Sequence, residues 1–392
     1  MTRTARRIIA AALGAAAVVT LAVAFSGDDT HAGSAGPAAV TPLWSVRRVP
    51  EPVAEAVGAQ HLQTALDRAV GGANACFVVK AGNHTLAVHD PDTPLLGAST
   101  QKVLIAATAL TSLGADTTFT TKVVAAAPAA DGTVERLWLV GSGDPILATA
   151  DYVAFLQSQG VTRGDITTSL ESLADAIVAQ GVRRIPGGLA GDDSRYDGQR
   201  YLPSWKSSYR TDGEIGPLGA LTVNDGFSAW SVAGKTSVAD PALHAASLLA
   251  DLLRARGVSV GTVDHAAAPA AAVEIAHVTS PDLRSIVASM LSSSDNLTAE
   301  LLTKELAVHA GTKPGTTAAG VAAIVAKLQS LGVSVNAAVP LVDGSGLSRD
   351  NRITCGLLVD TLSLTDRPQL GALFDGFSVA GQHGTLYDQF GG

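Results

Sequence analysis

The chain has 392 residues, enough for two domains or for one domain that carries an insertion. Its net charge of −8 at pH 7, without any stripe of basic residues, argues against nucleic-acid binding. Only two cysteines are present, and the nine histidines lack a metal-binding spacing. This composition excludes a disulfide-rich scaffold and a cysteine-based zinc cluster, and we expect no metal and no other cofactor.

Residues 1–32 are typical of an export signal, because three arginines precede an apolar run over residues 8–25 and small-residue cleavage sites follow it. The run is at the lower limit of what spans a bilayer. A cleaved signal peptide is the first interpretation, and an uncleaved membrane anchor through residues 8–25 is the second. Both predict an extracytoplasmic protein, either secreted or anchored at the cell envelope.

The next segments predict a linker followed by helix, hairpin and helix. Residues 33–50 are rich in Gly, Pro, Ala and Ser, which is typical of a linker. Alternating apolar residues flank Gly82-Asn83, and this pattern predicts a β-hairpin. The predicted elements are a helix over 52–70, strands over 75–79 and 85–89, and a helix that begins at Ser99.

Short β-like runs and Gly/Asp/Pro turns begin near Thr117 and predict a domain inserted into the chain. The predicted strands cover 121–124, 136–140 and 189–192, and the predicted helices cover 170–179, 241–256, 285–291 and 298–310. We therefore expect a catalytic domain in two parts, 51–116 and 273–392, with an inserted domain over 117–272.

Two motifs carry the chemistry, Ser99-Thr100-Gln101-Lys102 and Ser294-Asp295-Asn296. Residues i and i+3 share one face of a helix, so the lysine amine can lie beside the serine hydroxyl and take its proton. Together the motifs are two thirds of the signature of serine acyl-enzymes that react with penicillin. The alternative is that both are ordinary helix caps, with the lysine exposed to solvent.

With these motifs, the chain resembles the low-molecular-mass class C penicillin-binding proteins, which are D-alanyl-D-alanine carboxypeptidase/endopeptidases. Further segments that are similar to the family are 191–196, 216–220, 223–226, 343–349, 379–381 and 384–386. The resemblance implies an α+β multidomain fold, with a serine beta-lactamase/transpeptidase-like catalytic domain, a β-rich inserted domain, and the C-terminal strands missing.

The resemblance also implies a role for each motif residue. Ser99 would be the acylated nucleophile, Lys102 its general base, Ser294 the proton relay to the leaving D-alanine, and Asn296 the group that holds the substrate amide. The implied substrate is a peptidoglycan stem peptide ending in D-Ala-D-Ala, cleaved through an acyl-enzyme, with beta-lactams as inhibitors. The alternative function is that of a non-catalytic peptidoglycan-binding relative.

The family's third motif, a Lys-Thr-Gly strand, is expected after Gly384-Thr385-Leu386, but the sequence stops at Gly392. In the family this strand carries the lysine that attracts the substrate carboxylate and one backbone N–H of the oxyanion hole. We therefore expect a truncated form with low activity.

The remaining motifs are not expected to take part in catalysis. Cys76 and Cys355 are expected to pair in an oxidising compartment, and the alternative is two separate, small buried residues. Asp192 and Asp193 fit a turn better than the paired carboxylates of a glycosidase. Gly234-Lys235-Thr236-Ser237 lacks the first glycine of a phosphate-binding loop, so nucleotide binding is not expected.

Overall fold

The computed structural model describes residues 51–161, 165–336 and 339–387 of the chain. The predicted signal peptide or anchor and the predicted linker fall within residues 1–50, outside the described residues. Within the described ranges, no helix combines the length and the apolar character needed to cross a membrane.

The described chain contains both helices and strands, with only helices after Thr279, and the predicted α+β class is confirmed. The strands are β1 Phe77–Ala81, β2 His84–His89, β3 Thr120–Ala125, β4 Leu137–Val140, β5 Leu147–Ala148, β6 Thr168–Ser169, β7 Arg184–Ile185, β8 Leu189–Asp192, β9 Phe227–Ser231, β10 Gly234–Ser237, β11 Ser259–Val260, β12 Val263–His265 and β13 Val273–Thr279. The α-helices are α1 Glu51–Val70, α2 Lys102–Ser112, α3 Ala150–Ser158, α4 Leu170–Ala179, α5 Ser207–Thr211, α6 Pro241–Ala255, α7 Leu283–Ser293, α8 Asn296–His309, α9 Thr317–Ser330 and α10 Cys355–Leu362.

The chain divides into two compact units, and the first holds residues 51–95 together with Thr354–Gly356. Its β1 and β2 pair antiparallel, from Phe77 opposite His89 to Ala81 opposite His84. Gly82 opens the turn at φ +54°, a left-handed conformation that glycine adopts without a steric penalty. The predicted hairpin is therefore present, although its first strand begins at Phe77 rather than Ala75.

A disulfide closes the first unit, because Cys76 is bonded to Cys355 and the two Cα atoms lie 5.9 Å apart. Cys76 immediately precedes β1 and Cys355 is the first residue of α10. The backbone supports this link, since the Gly356 N–H donates to the Pro91 carbonyl at 2.8 Å. The two cysteines are therefore not the separate buried thiols of the alternative interpretation.

The second unit, Leu96–Ile353 with Leu357 onward, contains a helical core around α2. Buried residues cover nearly every side of α2, which is typical of a helix enclosed by other helices. Side chains of α7, α8 and α9 pack into the same cluster. A polar residue at the start of α2 therefore faces other protein groups rather than solvent.

The second unit also contains a five-stranded sheet in the order β12-β8-β4-β3-β13. Its β4, β8 and β12 run parallel, and β3 pairs antiparallel with both β4 and β13. Helices α4 and α6 share a buried apolar cluster with it, and a Cβ on Gly191 would lie only 2.1 Å from the Ala242 carbonyl oxygen of α6. The strand β13, which begins at the predicted boundary residue 273, pairs with β3 in this sheet, and the predicted domain bounds stay a prediction.

Most predicted elements lie where the sequence patterns put them, and α4 and β8 have the predicted bounds. Four helices, α3, α5, α9 and α10, were not predicted from the sequence patterns. Helix α9, TAAGVAAIVAKLQS, has few large apolar residues, and its alanines do not distinguish a buried face from an exposed one. Only packing against α8 shows which side is buried.

We expect the disulfide to stabilise the protein, because it closes a loop with a sequence separation of 279 residues. Replacing both residues, Cys76→Ser with Cys355→Ser, is expected to lower the free energy of unfolding by about 2–5 kcal/mol. Urea denaturation monitored by circular dichroism measures this difference, with reduced wild-type protein as the matched control. Equal denaturation midpoints for the double variant and the oxidised wild type would contradict the expectation.

Candidate active site

Ser99 lies in a single 3-10 turn, Ala98–Gln101, that leads directly into α2. Its side chain is exposed, whereas Lys102, the first residue of α2, is only 1% exposed. The cap interpretation, with Lys102 in solvent, is therefore wrong. The turn instead presents a surface hydroxyl directly above a buried amine.

Ser294-Asp295-Asn296 forms the corner between α7 and α8. Ser294 ends α7 in a left-handed conformation with φ +55°, which turns the chain sharply. The Asp295 side chain caps α8, accepting from the Thr298 N–H at 3.1 Å. The cap interpretation therefore applies to Asp295 alone, because the side chains of Ser294 and Asn296 reach Lys102 instead.

The Lys102 Nζ atom is the meeting point of the site. It lies 2.9 Å from Ser99 Oγ, 2.8 Å from Asn296 Oδ1, 2.9 Å from the Ser345 carbonyl oxygen, and 3.5 Å from Ser294 Oγ. The structure thus brings together the four residues that the sequence analysis selected, and it adds a backbone carbonyl from a fifth.

The partners of Lys102 determine where its lone pair points when the amine is neutral. A neutral amine has two N–H bonds and one lone pair, and both Asn296 Oδ1 and the Ser345 carbonyl can only accept. The Asn296 orientation is fixed, because its Nδ2 donates to the Glu214 carbonyl at 2.9 Å. With both N–H groups engaged, the lone pair is left for the Ser99 hydroxyl proton.

Burial prepares the amine for this role. It lowers the pKa of Lys102 from 10.5 to about 8, against the opposing influence of Asp295, Glu300, Asp343 and Glu214. An exposed lysine would be almost wholly charged at neutral pH, with no lone pair to accept a proton. The buried Lys102 has a neutral fraction that is useful for general-base chemistry.

A buried turn, Asp343–Gly346, lies beneath Lys102 and was not among the predicted site residues. The Asp343 carboxylate accepts from the Gly346 N–H at 2.9 Å, the Ser348 N–H at 2.7 Å and the Trp205 indole at 2.7 Å. The Gln101 side chain, from the turn that carries Ser99, donates to the Asp343 carbonyl at 2.5 Å. These bonds connect the turn directly to the Ser99 segment.

Glu300 is a second residue that sequence reasoning missed. Its carboxyl is fully buried and accepts from the Gly344 and Ser345 N–H groups at 3.0 and 2.7 Å. Burial, with Asp343 nearby, raises its pKa to about 8. A signal was available, because Glu300 follows Asn296 by four residues and such residues share one face of a helix.

The other candidates have structural partners. Asp192 accepts from the Ser194 and Ala268 N–H groups, and Asp193 pairs with Arg200 at 2.7 Å and with His265 at 2.9 Å. These bonds agree with the turn interpretation rather than with a glycosidase pair. Gly234–Ser237 is β10, a hairpin strand paired with β9, and not a loop around a phosphate.

The fold and the sequence can be compared with known proteins. Penicillin binding protein 4 of Haemophilus influenzae has the same fold, with a TM-score of 0.69 at 21% identity over 83% of each chain. A carboxypeptidase of Mycobacterium tuberculosis is 33% identical over 302 residues, which are 76% of this chain but only 62% of that protein. Carboxypeptidase DacB of Mycolicibacterium smegmatis is 30% identical over 95% of this chain and 80% of its own length.

The penicillin-binding serine peptidase class has this fold and this pairing of a serine with a buried lysine. Residues 58–236 and 231–392 match the D-Ala-D-Ala carboxypeptidase 3 (S13) family, and the chain belongs to that family. The resemblance to low-molecular-mass class C penicillin-binding proteins is confirmed.

We expect the unusual acidity of Lys102 to be visible directly. In protein with carbon-13 at lysine Cε, one resonance is expected to titrate near pH 8, whereas exposed lysines titrate near about 10.4. Nuclear magnetic resonance over a pH series measures both midpoints, and a Lys102→Arg sample assigns the signal by its loss. A Lys102 midpoint at the exposed value would show that burial does not depress the pKa.

Proposed function

We propose that the protein is a serine-type D-Ala-D-Ala carboxypeptidase that works through an acyl-enzyme on Ser99. The observation that carries the proposal is the environment of Lys102, whose Nζ lies 2.8 and 2.9 Å from two acceptor oxygens, Asn296 Oδ1 and the Ser345 carbonyl, and 2.9 Å from Ser99 Oγ. In the neutral amine, the two acceptors engage both N–H groups and leave the lone pair for Ser99. This arrangement activates a hydroxyl nucleophile without a histidine.

The reaction follows from these contacts. Ser99 Oγ attacks the carbonyl carbon of the penultimate D-alanine as its proton moves to Lys102, and a tetrahedral intermediate forms. The peptide C–N bond then breaks, and the proton passes from Lys102 through the Ser294 hydroxyl, 3.5 Å away, to the departing amine. Water hydrolyses the Ser99 ester and regenerates the hydroxyl. Each proton taken from the nucleophile is returned to a leaving group.

The proposed substrate is a peptidoglycan stem peptide that ends in D-Ala-D-Ala. Membership of the S13 family and the carboxypeptidase names of the relatives support this substrate. The same attack on an amide between two stem peptides is endopeptidase chemistry. A beta-lactam presents a strained amide to the same nucleophile, so we propose these compounds as inhibitors that acylate Ser99.

An extracytoplasmic location agrees with this substrate, which lies outside the cytoplasm. The Cys76–Cys355 disulfide supports the location, because disulfides persist in oxidising compartments. Secretion and membrane anchoring both stay predictions.

Covalent labelling tests the proposed function. Fluorescent penicillin is expected to label wild-type protein and not a Ser99→Ala variant, and wild-type protein is expected to release D-alanine from a D-Ala-D-Ala peptide. Gel fluorescence and a D-alanine assay measure the two outcomes. Reversible binding of muropeptides without any labelling would favour the non-catalytic alternative and overturn the proposal.

Ser294 and its neighbour Ser293 form a matched pair for testing the proton relay. Ser294→Ala is expected to slow D-alanine release by about 10²-fold, a typical loss for a group that transfers a proton. Ser293→Ala removes a hydroxyl that bonds to the Ser289 carbonyl at 2.7 Å in α7, and it is expected to keep the wild-type rate. Equal rates for the two variants would exclude Ser294 from the proton pathway.

Asn296→Asp tests the electrostatics of the site, because it keeps an acceptor beside Lys102 while adding a negative charge. The charge is expected to raise the pKa of Lys102 above about 8, which shrinks the neutral fraction at neutral pH. The pH profile of penicillin acylation should therefore move to higher pH, with the largest loss at low pH. Asn296→Ala is the control, with a slower rate and no upward shift.

A further inference from the structure

We infer that Glu300 is a positioning residue for Lys102, acting through the Gly344-Ser345 turn whose carbonyl receives the lysine. The inference rests on the proposed function for its catalytic consequence. Its geometry stands independently, on a buried carboxyl, two backbone N–H groups and one backbone carbonyl.

Two peptide planes flank the Cα atom of Ser345, and each is held by a different carboxyl. The Ser345 N–H, in the first plane, donates to Glu300 Oε1 at 2.7 Å. The Gly346 N–H, in the second plane, donates to Asp343 Oδ1 at 2.9 Å. Because peptide units are rigid, holding both planes fixes the two backbone dihedrals of Ser345. The direction of its carbonyl is therefore set by Glu300 and Asp343 together.

That carbonyl is one of the two acceptors that orient Lys102. It lies 2.9 Å from Nζ, and a rotated Ser345 would leave one N–H of Lys102 free to turn toward Ser99. The lone pair would then point away from the hydroxyl proton. Loss of Glu300 is thus expected to misdirect the base although Glu300 does not itself contact Ser99.

The turn is pressed closely onto α8, which places Glu300 within reach of both N–H groups. A Cβ on Gly344 would lie 2.0 Å from Thr303 Oγ1 and 2.8 Å from the Ala299 carbonyl oxygen. Only glycine permits this approach.

Protonation lowers the energetic cost of burying the Glu300 carboxyl. Among the described residues, Glu300 Oε2 has no hydrogen-bond partner, which is costly for a buried carboxylate. Its raised pKa, about 8, keeps most of the carboxyl neutral at neutral pH. A neutral carboxyl still accepts two N–H bonds through Oε1. When neutral, it also withholds most of its own charge, which like those of Asp295, Asp343 and Glu214 favours the charged form of Lys102.

Glu305 provides a matched control on the same helix. It is also largely buried, but its carboxylate bonds to Arg195 and to the Tyr196 hydroxyl at 2.9 Å, away from the Asp343–Gly346 turn. Removing either glutamate costs buried hydrogen bonds, and only Glu300 touches the turn beneath Lys102.

Four variants test the inference, Glu300→Ala, Glu300→Met, Glu300→Gln and Glu305→Ala. Glutamine keeps the Oε1 acceptor, whereas methionine fills the same space without an acceptor. The methionine variant replaces the alanine variant if Glu300→Ala does not fold. Acylation by fluorescent penicillin and the carbon-13 titration of Lys102 are measured for each, with circular dichroism as the check on folding.

We expect Glu300→Ala and Glu300→Met to acylate about 10²-fold more slowly, as for a misplaced catalytic group. Because the Glu300 charge favours the charged amine, Glu300→Ala, Glu300→Met and Glu300→Gln should all lower the Lys102 midpoint alike. Only the alanine and methionine variants should acylate slowly, and Glu305→Ala should show neither change. Any other pattern among the variants overturns the inference. Failure of wild-type protein to label would instead refute the proposed function. Hydrogen exchange of the Ser345 N–H, faster in Glu300→Met but not in Glu300→Gln, would still decide the role of Glu300.

Discussion

The burial of a single amine, Lys102, is the constraint on which the rest of the site depends. Burying a lysine disfavours its charged form, and here this lowers the pKa of Lys102 to about 8. The same burial requires that the polar atoms of the amine be satisfied by protein groups rather than by water. Each neighbour of Nζ is therefore both a structural partner and a determinant of where its lone pair points.

Three segments that are distant in the sequence supply those partners. The 3-10 turn brings Ser99, the corner between α7 and α8 brings Ser294 and Asn296, and the Asp343–Gly346 turn brings a carbonyl. Rigid helices hold the first two, and side-chain hydrogen bonds from Asp343 and Glu300 hold the third. The site is thus built on the helical core of the second unit, while the five-stranded sheet forms a separate core with α4 and α6.

Local sequence signals predicted the structure where it depends on residues close together in the chain. The i, i+3 spacing of Ser99 and Lys102, the alternating residues around Gly82-Asn83, and the amphipathic pattern of α4 each predicted the structure found. Local signals did not predict α9, because its alanines give no clear apolar face. They also misplaced the start of β1, because strand pairing rather than residue propensity decides its first residue. The helix-cap signal at Asp295 was real, and it stood between two residues with a different role.

The sequence by itself placed Ser99 and Lys102 on one helix face, where the amine can reach the hydroxyl, and the Ser-Asp-Asn triplet marked two further residues that lie near that amine. Only the tertiary structure decided the state of that lysine. Its burial depends on the packing of α7, α8 and α9 around α2. Its orientation depends on carbonyls of Glu214 and Ser345, and every residue carries such a carbonyl, so no sequence pattern distinguishes those that face the site.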